Sequence, residues 1–167
     1  AVWAYKNTAN PFPRHKLTGR YKADAQAILK QSGVNRGWAL VMEAGSGQLA
    51  FELARRSELN IVALVRDPAK LAAARKMFEV AGLLGSRVSV EPWTLGELPD
   101  YFANLIVAEN ADSSSDQIPA KELARVLRPA GGVLILKRKG DPAKLVASLK
   151  RNALAETKSV VTDDWVS

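Results

Sequence analysis

The 167-residue sequence contains no cysteine, which excludes disulfide staples, thiolate nucleophiles and cysteine-ligated zinc and leaves the redox compartment unread. It has a single histidine, His15, in a stretch without periodicity. A histidine-based triad or metal cluster is therefore not expected, and His15 reads as a solvated side chain. Long apolar runs are absent as well. The longest stretches, such as Trp38–Met42 and Gly132–Leu136, are strand-sized and far short of the roughly 20 residues that cross a bilayer. The sequence opens on Ala1 rather than methionine, so it reads as a processed product or a segment of a longer, multidomain protein. Any leader would be out of view, and cytosol stands only as the default compartment.

What the chain does have is 47% hydrophobic residues, enough for one domain to bury a sizeable core without staples. Its net charge is +7, and that excess is local. Lys6, Arg14, Lys16, Arg20 and Lys22 precede the first acid, Asp24, in a segment that also carries Trp3, Tyr5, Phe12 and Tyr21. With Pro11, Pro13 and Gly19 and no sustained period, residues 1–22 read as a basic extended arm, and residues 23–167 as the domain. Basic residues among aromatics can make weak, non-specific contact with nucleic acid, but the same composition serves a solvated arm whose aromatics pack on a neighbouring surface, and that is the expected reading.

From Ala23 onward, strand and helix signals alternate. Ala25, Ile28 and Leu29 mark a helical face stopped by Gly33, and Trp38–Met42 is an apolar run of the kind buried on both faces of a sheet. Glu43 to Gly47 then leads into a helix with Leu49, Ala50, Leu53 and Ala54 inward and Glu52, Arg55 and Arg56 outward. Asn60–Val65 reads as the second strand, and Asp67-Pro68 as the cap and first residue of a helix with inner stripe Leu71, Ala74, Met77, Phe78 and Ala81. Arg87–Glu91 and Ala103–Ala108 are the third and fourth strands. A helix over about Gln117–Leu127 stops at Pro129 and Gly131-Gly132, and Gly132–Lys137 is the fifth strand. Pro142–Ala153 is predicted helical and Ser159–Thr162 a short sixth strand. This alternation predicts an α/β fold, a three-layer αβα Rossmann-like sandwich around a mostly parallel sheet.

A glycine turn between a buried strand and a helix lets backbone approach a ligand and offers it unpaired N–H groups. Gly45 and Gly47 stand in that context. The run Val41-Met-Glu-Ala-Gly-Ser-Gly-Gln-Leu-Ala50 resembles the first motif of class I S-adenosylmethionine-dependent methyltransferases, with Leu49 where a third glycine often stands. Leu123-Ala-Arg-Val-Leu-Arg-Pro-Ala-Gly-Gly-Val-Leu-Ile-Leu136 is similar to that family's late helix, Pro-Gly-Gly turn and fifth strand. Arg87–Ala108, with Leu98-Pro99, resembles the piece between. The likeness covers about residues 25–139. It implies sheet order 3-2-1-4-5, S-adenosylmethionine as cofactor, and a site across the carboxyl ends of strands 1, 2 and 4. The cofactor-binding residues it implies are Glu43, Ala44, Gly45, Ser46, Gly47, Leu49, Val65, Arg66, Asp67, Trp93, Thr94, Leu95 and Ala108.

The sequence departs from the family at three places. The acid that accepts from both ribose hydroxyls falls, counting back from Pro68, on Val65; Asp67 replaces it only if the loop bends back. The aspartate that holds the adenine amino group falls on Thr94. The closing hairpin of two antiparallel strands has no room before Ser167, so either the sheet is truncated or the sequence continues in a larger protein, in which case Trp165 is expected at a junction.

Methyl transfer needs alignment more than acid/base chemistry, and the place for a base or a substrate-amine binder is the end of the fourth strand. Glu109 and Asn110, with Asp112 nearby, are the catalytic candidates, or else polar residues of a strand end. Glu43 either orients its loop or touches the amino-acid end of the cofactor; Trp93 either stacks on adenine or packs the sheet edge. Lys137-Arg-Lys139 is a solvated strand end or an anion-binding rim. There is no Asn-Pro-Pro-Tyr run, so amino methylation of the kind that signature marks has no support. Two other readings stay open. Gly45-x-Gly47-x-x-Ala50 also fits a dinucleotide fingerprint, and Val65-Arg66 in place of an acid suits the 2′-phosphate of NADP. Loss of the ribose acid also suits a non-catalytic methyltransferase-like module.

Overall fold

The computed structural model describes residues 10–12, 18–112, 120–139 and 165–166. His15, the start of the helix expected at Gln117, the helix expected at Pro142–Ala153 and the strand expected at Ser159–Thr162 lie outside them.

Strands β1 (Arg36–Met42), β2 (Glu58–Leu64), β3 (Val88–Glu91), β4 (Leu105–Asp112), β5 (Val133–Lys139) and β6 (Trp165–Val166) form one sheet in the order β3-β2-β1-β4-β5-β6. The first five run parallel, and β6 is antiparallel to β5, with Lys137 opposite Trp165. Trp165, expected at a junction, is thus a member of the sheet.

The two faces follow from alternation along each strand. Ala39, Val41, Ile61, Ala63, Leu105, Val107 and Ile135 point into one core with residues of α1 (Thr18–Ser32), α2 (Gln48–Arg56) and α3 (Pro68–Val80). Leu40, Val62, Leu64, Ile106, Leu134 and Leu136 point into the other, against a 3₁₀ turn (Leu95–Glu97) and α4 (Ala120–Val126). The expected αβα sandwich with order 3-2-1-4-5 is therefore what the chain forms. No helix among the described residues is long and apolar enough to cross a membrane.

Several local expectations change. Helix α1 starts at Thr18, so residues 18–22 are helical rather than an extended arm. Phe12 is 6% exposed, its ring 5.3 Å from that of Phe51 and 6.1 Å from that of Phe78. Its burial has a second consequence: with α1 and Phe12 over its outer side, α2 is buried on all faces from Gln48 to Ala54. Glu52, expected outward, is buried as a result. It pairs with Arg56 one turn on, whose guanidinium also donates to the Glu52 carbonyl. Strand β4 runs four residues past the predicted end at Ala108, to Asp112. Its register against β5 shifts between Ala108 and Ala111. Glu109 and Asn110, expected just beyond the strand, occupy that irregularity.

Candidate functional site

At the carboxyl end of the sheet the segments after β1, β2 and β3 converge. The loop from β1 to α2 is wound tightly. Its Gly47 amide donates to Ala44 O at 2.7 Å, and the Ala44 amide reaches across to Leu64 O at 3.0 Å. Three alternate residues have left-handed backbone, Glu43 at φ 50°, Gly45 at 53° and Gly47 at 82°. For Glu43 this conformation costs about 1–2 kcal/mol, which the surrounding bonds sustain. Gly47 is required sterically too, because a Cβ there would lie 2.7 Å from Phe78 Cε2. At Gly45 a Cβ would meet nothing closer than Glu43 O at 3.9 Å, so that position opens onto free space. Among the described residues the N–H groups of Gly45 and Ser46 have no hydrogen-bond partner. Left-handed residues spaced in this way turn amides into a concave donor surface.

The segment after β2 supplies the second wall. The Val65 amide donates to Glu91 O at 2.9 Å, and its side chain, 3% exposed, rests on the core below while lining the opening above. Asp67 caps α3, Oδ1 accepting from the amides of Ala69 (2.9 Å) and Lys70 (3.0 Å), and Pro68 fills the first helical position. The Lys70 amide foremost, with some opposition from burial and help from the Ala69 amide and the Lys70 ammonium, holds the Asp67 carboxyl below the usual aspartate range. A lowered folded value means the cap's contribution is present above the unfolded pKa and is lost as pH falls through the folded one. Oδ2 has no partner among the described residues.

The third wall is Trp93-Thr94-Leu95, held from two sides. Glu97 Oε2 accepts from Thr94 N (2.8 Å) and Thr94 Oγ1 (3.1 Å) in a capping box. Arg125 of α4 donates to Leu95 O and Leu98 O, both at 2.8 Å. Its guanidinium pKa is raised by Asp100 first and Glu122 second.

Between these walls lies an open cleft of about 290 Å³ lined by Met42, Glu43, Gly45, Leu64, Val65, Arg66, Asp67, Lys70, Trp93, Thr94 and Leu95. Eight of the residues singled out in the sequence line it: Glu43, Gly45, Val65, Arg66, Asp67, Trp93, Thr94 and Leu95. The others do not. Ala44, Gly47 and Leu49 are buried beneath the loop, Ser46 is exposed beside it, and Ala108 is buried in β4 opposite Met42. Met42, Leu64 and Lys70 were missed. The first two are the last residues of buried strands and Lys70 follows a helix cap, so the carboxyl-end rule for α/β sheets, applied one residue further back, would have included the strand residues.

No protein-family model and no curated protein sequence matches the chain. Solved structures do. A protein of Methanococcus maripaludis, provisionally identified as an S-adenosyl-L-methionine-dependent methyltransferase, superposes with TM-score 0.74 at 19% identity, over 90% of this chain and 85% of that one. A SAM-dependent methyltransferase from Aquifex aeolicus gives 0.62 at 17% identity, over 89% and 95%. The cyclase SpnF gives 0.64 at 21% identity, over 78% of this chain and 57% of that one. At such identities the likeness speaks for the fold and not the reaction, and a protein named as a cyclase among the neighbours illustrates the difference. The chain has the Rossmann-like fold of the class I S-adenosylmethionine-dependent methyltransferases.

Proposed function

We propose that the cleft holds an S-adenosylmethionine-type cofactor and that the chain is a methyltransferase-like domain whose acceptor is unknown. The observation that carries this reading is the convergence of three walls at the carboxyl ends of β1, β2 and β3, with open space at Gly45 and, beside it, the amides of Gly45 and Ser46, which have no partner among the described residues. The residues fit such a ligand. The Gly45 and Ser46 amides suit its carboxylate, Glu43 its amino group, Asp67 Oδ2 a ribose hydroxyl, and Trp93 with Leu95 a planar base. When bound, the cofactor supplies an activated methyl group, and the protein's task is to align an acceptor with it. Glu109 and Asn110, in the irregular stretch of β4, are the groups we assign to holding that acceptor or taking its proton.

One observation favours a second ligand. Arg66 and Lys70 line the cleft beside Val65, where no carboxylate stands, and this suits an anionic substituent near the ribose, such as the 2′-phosphate of NADP. The non-catalytic module also stays in play, since Val65 removes an acceptor and leaves a ribose hydroxyl under-satisfied at a cost of about 1–3 kcal/mol. Nucleic-acid contact through the basic N-terminal segment rests on composition alone. It is expected to be weak and salt-sensitive; binding to duplex DNA that survives high salt would contradict it.

Titration calorimetry with S-adenosylhomocysteine tests the main reading. The expected Kd is weak, in the high micromolar range, or about 10⁻⁴ M. Asp67→Asn keeps the capping oxygen but puts an NH₂ where Oδ2 stood, and is expected to weaken binding several-fold without unfolding α3. Gly45→Val fills the open space and should abolish binding. NADP binding that Arg66→Ala removes, with no response to S-adenosylhomocysteine, would overturn the assignment in favour of the second ligand.

A further inference from the structure

An edge strand presents backbone groups that no neighbouring strand satisfies, and β3 stands at the edge of the sheet. Its outward groups are taken up locally. Leu83 O accepts from the Val88 amide at 3.0 Å, and Val88 O from the Gly85 amide at 2.9 Å. Val90 O accepts from Arg75 Nε of α3 at 2.8 Å, and Nη2 of the same guanidinium lies 3.0 Å from Glu91 Oε2. Arg75 thus grips two successive residues at the end of β3, with a planar fork that fixes one geometry. Two cleft walls depend on Glu91. Its carbonyl accepts from the Val65 amide at 2.9 Å, where the second wall begins. Only Pro92 separates it from Trp93, and a proline ring holds φ at about −65°, so the direction in which the third wall leaves the sheet follows from how Glu91 is held. At the other end of the link, Arg75 and Lys70 share one helix whose first turn Asp67 caps.

We infer that Arg75, which does not line the cleft, is a positioning residue that fixes the spacing between the Val65–Lys70 wall and the Trp93 wall, and so favours ligands that touch both; the inference rests on the cofactor reading above. A ligand resting on one wall is indifferent to that spacing. One that reaches from Asp67 to Trp93 meets both walls already in place, and such preorganisation is read out as affinity. Arg75 acts through Val90 and Glu91 and makes no contact with the ligand itself.

The test compares S-adenosylhomocysteine, which spans both walls, with adenine, which reaches the Trp93 wall alone, by amide-shift titration of the full chain. Arg75→Met keeps the aliphatic stem and removes both hydrogen bonds. It should weaken S-adenosylhomocysteine about tenfold and leave adenine within about twofold. Arg75→Lys, whose ammonium reaches a single acceptor, should fall between the two. Glu91→Gln, whose amide oxygen still accepts from Arg75, should stay within about twofold of the native protein for both ligands. A role confined to closing the sheet edge would lower stability, or let copies pair through β3, and would weaken both ligands alike. That result, or no change in either ligand, overturns the inference alone. Adenine that moves none of the Trp93–Leu95 amides of the native protein overturns it too, since that wall would then hold no base. Failure of the native protein and every variant to bind S-adenosylhomocysteine overturns it together with the cofactor reading.

Discussion

Phe12→Ala is expected to destabilise the fold by about 3–5 kcal/mol, the range for deleting a buried phenylalanine and leaving its cavity. The ring is 6% exposed and sits against Phe51 of α2 and Phe78 of α3, so its loss uncovers a helix that is buried on all faces from Gln48 to Ala54. Domains of this size are stable by about 5–15 kcal/mol in total, which makes this a large fraction. Denaturant unfolding measures it directly. Val80→Ala, at a side chain 71% exposed, serves as the control and should stay within about 0.5 kcal/mol. A Phe12→Ala effect no larger than the control would mean that the segment before α1 is peripheral after all.

The second large effect is a gain. Val65→Glu should tighten S-adenosylhomocysteine binding by about tenfold or more, since a charge-assisted hydrogen bond contributes roughly 1.5–3 kcal/mol. Val65 lines the cleft just past the end of β2, with Asp67 and Trp93 in the same lining, and the longer glutamate carries its carboxylate out of the core on which valine rests. That core contact is lost, so stability should fall while affinity rises, and unfolding and binding must be measured separately. NADP should respond in the opposite direction, because the new carboxylate repels a 2′-phosphate beside Arg66 and Lys70. Unchanged affinity in a folded Val65→Glu protein would show that the ribose does not lie at this wall.

Much of this architecture was legible from periodicity. The buried strands, the Asp67-Pro68 cap and the stop at Gly33 depend on near neighbours, and each fell within a residue or two of its place: Gly33, at φ 68°, donates to Leu29 O, and β2 ends at Leu64. The misses share a different cause. Glu52 reads as a solvent-facing residue of an amphipathic helix, and only the packing of α1 and Phe12 over α2 encloses it. Phe12 stands among prolines and basic residues without a period, so no local rule marks it as core. Strand β4 was cut short because Glu109 and Asn110 break the apolar run; pairing with β5 carries the strand on through a register shift that sequence does not display. At the site, the loop residues were found by their glycines and by counting from Pro68 and Leu98-Pro99. The role of Arg125 was not found, because it acts through hydrogen bonds to Leu95 and Leu98 that bridge a helix and a turn far apart in the chain; that of Glu97 rests on a capping box three residues long, Thr94 to Glu97, which is a local pattern that went unread.

The most direct test of the site is a map of backbone amide shifts in ¹⁵N-labelled protein titrated with S-adenosylhomocysteine. A cofactor seated in the cleft should move the amides of Glu43–Gly47, Val65–Asp67, Ala69–Lys70 and Trp93–Leu95 together, at one apparent Kd, with Gly45 and Ser46 among the largest because their N–H groups gain an acceptor. Val80 and Gly85, away from the cleft lining, should stay in place. Shifts centred anywhere other than these three segments, or no shifts at millimolar ligand, would contradict the assignment of this cleft to an S-adenosylmethionine-type cofactor.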